Sequence, residues 1–391
     1  MIMSQERILA AAEFMDDFAE RTGLSPAGQF SKRYLWTDAY AVCNFLGLYQ
    51  YFDDVKWRDL ALLLVDEVHH VLGWHRSDSQ CRGWLSGLSG KEAEDHPTIG
   101  GLRIGKSLNE CGPDDPYDEY REWDRDGQYY HYLTKWMHAL NRVSTVTGDL
   151  KYNRWAVELA KAAHRAFVYN AGSRSKRMYW KMSINLSYPL VRSMGHHDPL
   201  DGLITYIQLQ GTLARDKGRS LSLDLQSEID DLVNICESRD WQTDDLLGLG
   251  SLLCDGFRVT QLFVQGILEG SDMLRIILDA SIPGLKYPGR ENFLYTPSRF
   301  RLAFRELGLS IGLHALEGLD AFIHENLAIF EDDRDIQILL KTLWKFMSIR
   351  DRIEAFWLDP SNRKTDTWKE HLDINTVMLA TSLAPEGFLT I

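Results

Sequence analysis

Residues 123–167 read WDRDGQYYHYLTKWMHALNRVSTVTGDLKYNRWAVELAKAAHRAF. Tyr129, Tyr132, Leu133, Trp136, Met137, Leu140 and Val143 recur at the i, i+3, i+4, i+7 spacing, which gathers them on one face of an α-helix. After the turn TGDLKY, Trp155, Leu159, Ala163 and Phe167 do the same, so the stretch predicts two antiparallel helices joined by a short turn. Residues 36–73, WTDAYAVCNFLGLYQYFDDVKWRDLALLLVDEVHHVLG, follow the same plan. They open on Trp and Asp, turn at Asp53-Asp54 and return along Trp57, Leu60, Leu64, Val68 and Val71. A recurring unit of this size is the mark of a repeat architecture, in which each hairpin buries its apolar face on the next.

Working outward, further pairs are expected over 198–237, 243–278 and 299–356. A last helix over 365–383 has no partner after it, and the helix from Gln5 to Thr22 has none before it. Pairing those two gives six hairpins and closes the chain on itself, hiding faces that an open stack leaves exposed. The expected fold is therefore all-α, a single (α/α)6 toroid spanning 1–391, with the N-terminal helix against the last inner helix. An open helical solenoid is the alternative. Strand signals are poor throughout. Two irregular stretches, 74–122 and 170–198, are long for a compact domain and are expected to be functional loops over the cavity mouth.

Composition narrows the function. The formal charge is −13 and the acids are spread along the chain, which excludes the basic stripe a nucleic-acid surface needs. Five scattered cysteines carry no metal-ligand spacing, so no structural zinc and no disulfide frame is expected. No apolar run approaches a membrane span, and the N-terminus interrupts its apolar pattern with Glu6, Asp16, Asp17 and Glu20. The expectation is a reduced, cytoplasmic protein without membrane or nucleic-acid partners. The segment GGLRIGKS (100–107) lacks the spacing of a phosphate-binding loop, and no cofactor is expected.

The hairpin count, the Trp- and Asp-rich helix starts, and the phrases DGQYYHYLTKWMHAL and TGDLKYNRWAVELA together resemble the six-hairpin, (α/α)6-barrel glycosidase-like superfamily. That resemblance covers most of the chain as architecture. It implies a carbohydrate-active enzyme, since that superfamily includes glycoside hydrolases, unsaturated glucuronyl hydrolases and, on a similar barrel, N-acylglucosamine 2-epimerases. No catalytic role is carried over from it.

The candidate site residues follow from residue type and position. The starts Trp36-Thr37-Asp38, Trp123-Asp124-Arg125-Asp126, His196-His197-Asp198-Pro199, Thr243-Asp244-Asp245 and Thr365-Asp366-Thr367-Trp368 would bring acids and indoles to a shared rim. Indole and phenol faces cover the C–H side of a pyranose while carboxylates, Arg and His bind its hydroxyls. Asp and Thr are also ordinary N-caps, and Thr367 with Glu370 has the form of a capping box. Of the two near acids, Asp126 is the expected cap and Asp124 the expected catalytic group. Asp124 and Asp198 are the expected carboxylic acid/carboxylate pair, with Asp38 in reserve. His196 or His197 is the expected base if the chemistry is isomerisation, set opposite His371. Adjacent histidines without a third ligand in register do not make a catalytic zinc site, so no metal is expected. Trp36, Trp123, Arg103, Tyr129, His131, Trp180, Lys181, Arg192 and His371 are the expected substrate-binding residues, with Lys106 beside Arg103 able to take a carboxylate or phosphate. The substrate expected is a small molecule or an oligosaccharide. A barrel that binds sugars without turnover is the remaining alternative.

Overall fold

The computed structural model describes residues 5–26, 28, 32–113, 115, 116, 118–172, 176–215, 223–287, 289–330 and 333–391. The side chain of Glu119, one of the acids near the first quoted stretch, lies outside that description. The chain forms two compact units. One, the loop-bearing unit, comprises 19–46 and 54–238; the other, the terminal unit, comprises 1–18, 47–53 and 239–391.

Helix α1 (Gln5–Arg21) opens the chain, and α2 (Leu35–Phe52) runs from the loop-bearing unit into the terminal one at Leu46. The loop-bearing unit continues through α3 (Val55–Leu72), the short α4 (Gly90–Asp95) and α5 (Glu119–Glu122), α6 (Tyr130–Thr147), α7 (Lys151–Phe167), α8 (Asp198–Leu213) and α9 (Gln226–Cys236). The acidic dipeptide makes the first turn. Asp53 takes a left-handed conformation (φ 53°), which a short polar side chain tolerates, and Asp54 caps α3 by accepting from Lys56 N at 3.0 Å. Phe45 stacks on Trp57 across that hairpin at 6.1 Å. In the second hairpin Gly148 (φ 76°) ends α6, and Asn141 donates to Asn153 at 2.8 Å across the turn.

The helices are then tied sideways. Trp136 donates its indole N–H to His69 Nε2 at 3.2 Å, joining α6 to α3, and Tyr206 donates to the Ala160 carbonyl, joining α8 to α7. His69 is therefore a core residue, and burial pushes its pKa down to about 3, so the ring stays neutral. Its neighbour His70 is exposed.

The stretch 170–198 contains short strands between its turns. β2 (Val168–Asn170) pairs antiparallel with β3 (Lys176–Met178), Tyr169 opposite Arg177. A second sheet has the order β1-β4-β5, from β1 (Gln128–Tyr129), β4 (Lys181–Met182) and β5 (Pro189–Val191). Strands of two or three residues are too short to show alternation, which is why sequence periodicity missed them.

The terminal unit adds α10 (Leu246–Val264), α11 (Asp272–Lys286), α12 (Ala303–Glu325), α13 (Leu327–Phe330), α14 (Arg334–Leu343), α15 (Met347–Leu358), α16 (Asp366–Glu370), α17 (Leu372–Leu383) and α18 (Glu386–Leu389). α10 and α12 meet backbone to backbone at glycines: a Cβ on Gly250 would lie 2.0 Å from the Gly308 carbonyl oxygen. Two expected helices are each broken in two. The stretch 334–358 tightens to a 3₁₀ turn at Trp344–Phe346, so α14 packs on α11 while α15 packs on α12. The last helix breaks at His371. The N-terminal helix does reach the last one: Arg7 of α1 donates to the Ser382 carbonyl of α17 at 3.2 Å and to Glu354 of α15 at 2.7 Å. Among the described residues, no helix is long and apolar enough to cross a membrane.

Candidate active site

Three helix starts of the loop-bearing unit form the site. α2 is set by Leu35 N donating to the Ile104 carbonyl and by Tyr34 N donating to Asp38 Oδ2 at 2.9 Å. α6 begins where β1 ends, because Tyr129 is held extended opposite Lys181. α8 begins at Asp198 with Pro199 in its first turn, where a missing N–H costs nothing.

From these starts an aromatic cage converges on His131. The His131 ring stacks on Trp180 (6.2 Å, 20°) and meets Trp36 and Tyr132 edge to face at 5.9 and 4.8 Å. Tyr129 packs on both His131 and Trp180, and Trp123 extends the aromatic surface outward from Trp180 at 5.4 Å. Tyr34 and Tyr132 share a 2.7 Å hydrogen bond between hydroxyls; burial raises both phenols far above their ordinary pKa. Facing His131 is Asp198, its Oδ1 3.7 Å from His131 Nδ1. The imidazole is 26% exposed and the carboxylate 8%, so the pair is sheltered but reachable. His131 Nδ1, Asp198 Oδ2 and Trp36 Nε1 are buried atoms with no hydrogen-bond partner. Three orphaned polar atoms in one cage are costly unless a ligand or water satisfies them. Gly195 lies against the Asp198 carboxylate so closely that a Cβ there would come within 2.4 Å of its oxygens.

Most other expected site residues are committed elsewhere. Asp38 is buried, paired with Arg33 at 3.4 Å and capping the start of its own helix, so it belongs to the scaffold. Asp126 caps no helix. It is a fully buried hub that accepts from Gly105 N (2.9 Å), Arg103 (2.9 Å) and Arg76 (3.3 Å). Arg103 therefore supports the loop rather than a ligand, since its remaining donors go to the Trp74 and Val71 carbonyls. Lys181 is likewise spent on Glu122 and two carbonyls. Asp124 is exposed, and Trp123 is half-exposed. Arg192 and His196 are exposed; His197 precedes α8 and gives its carbonyl to Asp201 N. Asp201 itself is bound by Lys135 at 2.8 Å and by Thr134.

His371 belongs to the terminal unit, exposed and packed against Phe304 at 5.4 Å. In the same unit Asp245 caps α10 by accepting from Gly248 N. The Thr367–Glu370 capping box does not form: Thr367 donates to the Ser298 carbonyl. Among the described residues no group of three or more His, Cys, Asp and Glu is placed to hold a metal ion. Sequence reasoning named His131 and Asp198 separately and missed their pairing, and it missed Tyr34, whose only signal was its place two residues before Trp36.

The fold is an all-α, (α/α)6 barrel. Among solved structures, the chain is similar to a GH76 α-mannanase from Bacteroides thetaiotaomicron, at 8% identity and a TM-score of 0.52, over 97% of each chain. It is also similar to the GH76A α-1,6-mannanase from Salegentibacter sp. HEL1_6, at 12% identity and 0.50, over 97% of this chain and 99% of that one. An inactive variant of the latter, carrying Asn for two consecutive aspartates and bound to α-1,6-mannotriose, matches equally. A cellobiose 2-epimerase from Spirochaeta thermophila matches at 11% identity and 0.47, over 90% of this chain and 86% of that one. No family model and no curated protein sequence matches the chain. At such identities the likeness shows the fold alone.

Proposed function

We propose that the chain is a carbohydrate-active enzyme, a glycoside hydrolase first, that binds its sugar in the cage of Trp36, Tyr129, Tyr132 and Trp180. The observation that carries this reading is the set of unpartnered polar atoms on Trp36, His131 and Asp198 inside that cage. Ring hydroxyls supply the missing partners while the aromatic faces cover the C–H side. Asp198 stands in the first turn of α8, which fixes its carboxylate at the cage. With His131 beside it, Asp198 acts as the proton-moving unit at the reacting carbon. Asp124 is the proposed second carboxylate, since hydrolysis needs an acid for the leaving oxygen and a base or nucleophile for the sugar. The inactive mannanase variant lacks two consecutive aspartates, whereas the described residues of this cage include no consecutive pair. The roles of His131 and Asp198 therefore rest on their geometry in the cage, and that of Asp124 on its place next to Trp123, which packs on Trp180. An oligosaccharide substrate and a reducing cytoplasmic setting, in keeping with five free cysteines, belong to the same proposal.

The test is release of reducing ends from a panel of oligosaccharides that includes α-1,6-mannotriose. Asp198→Asn is expected to lower kcat about 10²–10⁴-fold, the usual worth of a positioned acid or base. Full activity in that variant overturns the assignment. A second reading, epimerisation or isomerisation at carbon 2, is favoured by one feature. His131, a residue type suited to act as the base, lies in the cage with the Asp198 carboxylate 3.7 Å from its Nδ1. Incubation in deuterated water separates the two, because solvent deuterium at carbon 2 without bond cleavage marks isomerisation. Sugar affinity with neither outcome identifies a binding barrel.

A further inference from the structure

The loop 104–108 is fixed at several points beside the cage. Gly105, at φ 94°, gives its N–H to Asp126, and Arg76 donates to the carbonyls of Lys106 (2.6 Å) and Ser107 (2.8 Å). This holds Lys106 where its ammonium lies 5.4 Å from the centre of the Tyr34 ring. Tyr34 is hydrogen-bonded to Tyr132, whose ring touches His131. Lys106 is thus separated from the His131–Asp198 pair by two aromatic rings.

Cations around it are matched with acids: Arg76 and Arg103 with Asp126, Lys135 with Asp201, Lys181 with Glu122. Lys106 differs. It is half-buried, and among the described residues its ammonium makes no ion pair. Burial lowers its pKa, and the more distant Asp124 and Asp126 only partly restore it. A half-buried ammonium without a carboxylate, held over the Tyr34 face beside a ring-lined cage, has room in its charge balance for one anion.

We infer that Lys106 receives the carboxylate of a uronic acid residue bound in the cage, an inference that rests on the cage being a sugar site. A carboxylate suits the position better than a phosphate. One ammonium balances one negative charge, while Asp124 and Asp126 nearby repel a dianion more strongly. The substrate class is then a sugar chain carrying a single acidic unit at this subsite, in an otherwise acidic protein that disfavours polyanions.

The test is calorimetric binding of methyl glucuronide and methyl galacturonide, their neutral glycosides, and glucose 6-phosphate to the full chain at low and high salt. The wild type is expected to prefer the uronide over its neutral counterpart about tenfold, with the preference shrinking in salt. Lys106→Met is expected to bring that ratio to about one, and Lys106→Arg to keep most of it. Equal binding of charged and neutral glycosides by the wild type, or a preference that survives in Lys106→Met, overturns the inference and leaves the sugar site standing. A stronger preference for glucose 6-phosphate than for the uronides overturns the choice of carboxylate. If no glycoside of either kind binds, the proposed function falls and takes this inference with it.

Discussion

Replacing Glu354 with glutamine is expected to destabilise the protein at neutral pH and to make little further difference near pH 2. The Glu354 carboxylate is 3% exposed and accepts from Arg7 (2.7 and 2.9 Å), His314 (2.7 Å), Ser382 (2.7 Å) and Ser310 (3.3 Å). Burial alone raises the acid's pKa, but the hydrogen bonds and charges of His314 and Arg7 prevail and hold it at about 2, against an ordinary 4.5. That difference corresponds to about 3 kcal/mol of linked stability. Because the folded-state pKa is the lower one, the contribution is complete above pH 4.5 and is lost as pH falls through about 2. The variant lacks this titration while leaving Arg7 and His314 short of a counter-charge. Urea unfolding followed by tryptophan fluorescence at several pH values between 7 and 2 reads both effects. The gap between wild type and Glu354→Gln should be about 3 kcal/mol or more at pH 7 and should narrow by about 3 kcal/mol between pH 4.5 and pH 2. Parallel stability curves over that window would refute the reasoning.

Three further outcomes follow from particular contacts. Gly250→Ala forces a Cβ onto the Gly308 carbonyl, and backbone cannot yield as a flexible side chain can; a loss of about 1–3 kcal/mol in unfolding free energy is expected. Gly195→Ala pushes on the Asp198 carboxylate, so turnover should drop at least about tenfold while the melting temperature stays near that of the wild type. Asp126→Asn leaves Arg76 and Arg103 without their shared acid and should cost about 3–5 kcal/mol, measured by denaturant unfolding, because a buried charge pair has lost one side.

The hairpins were legible because helix periodicity is written into neighbouring residues: the stripe from Tyr129 to Val143 and the returning stripe from Trp155 to Phe167 needed no long-range information. The breaks were less visible. Nothing local distinguishes Trp344–Phe346 or His371 from continuing helix, and what sets them is which neighbour each half packs on, α11 for α14 and α12 for α15. The site was legible as a set of residue types but not as a division of labour. Asp38, Asp126, Asp198 and Asp201 look alike in sequence, and their fates depend on partners elsewhere in the fold. Asp126 is claimed by Arg76 and Arg103, and Asp201 by Lys135. Asp198 stays available because its Oδ2 has no hydrogen-bond partner and the side chain facing it, His131, comes from a different helix start.

The most direct test is a structure of the full chain with an oligosaccharide bound, beginning with α-1,6-mannotriose and a uronide-bearing analogue. One sugar ring should lie between Trp36 and Trp180, with hydroxyls completing the hydrogen bonds of Trp36 Nε1, His131 Nδ1 and Asp198 Oδ2. A sugar held elsewhere, with those three atoms still unpartnered, would contradict the assignment of the active site.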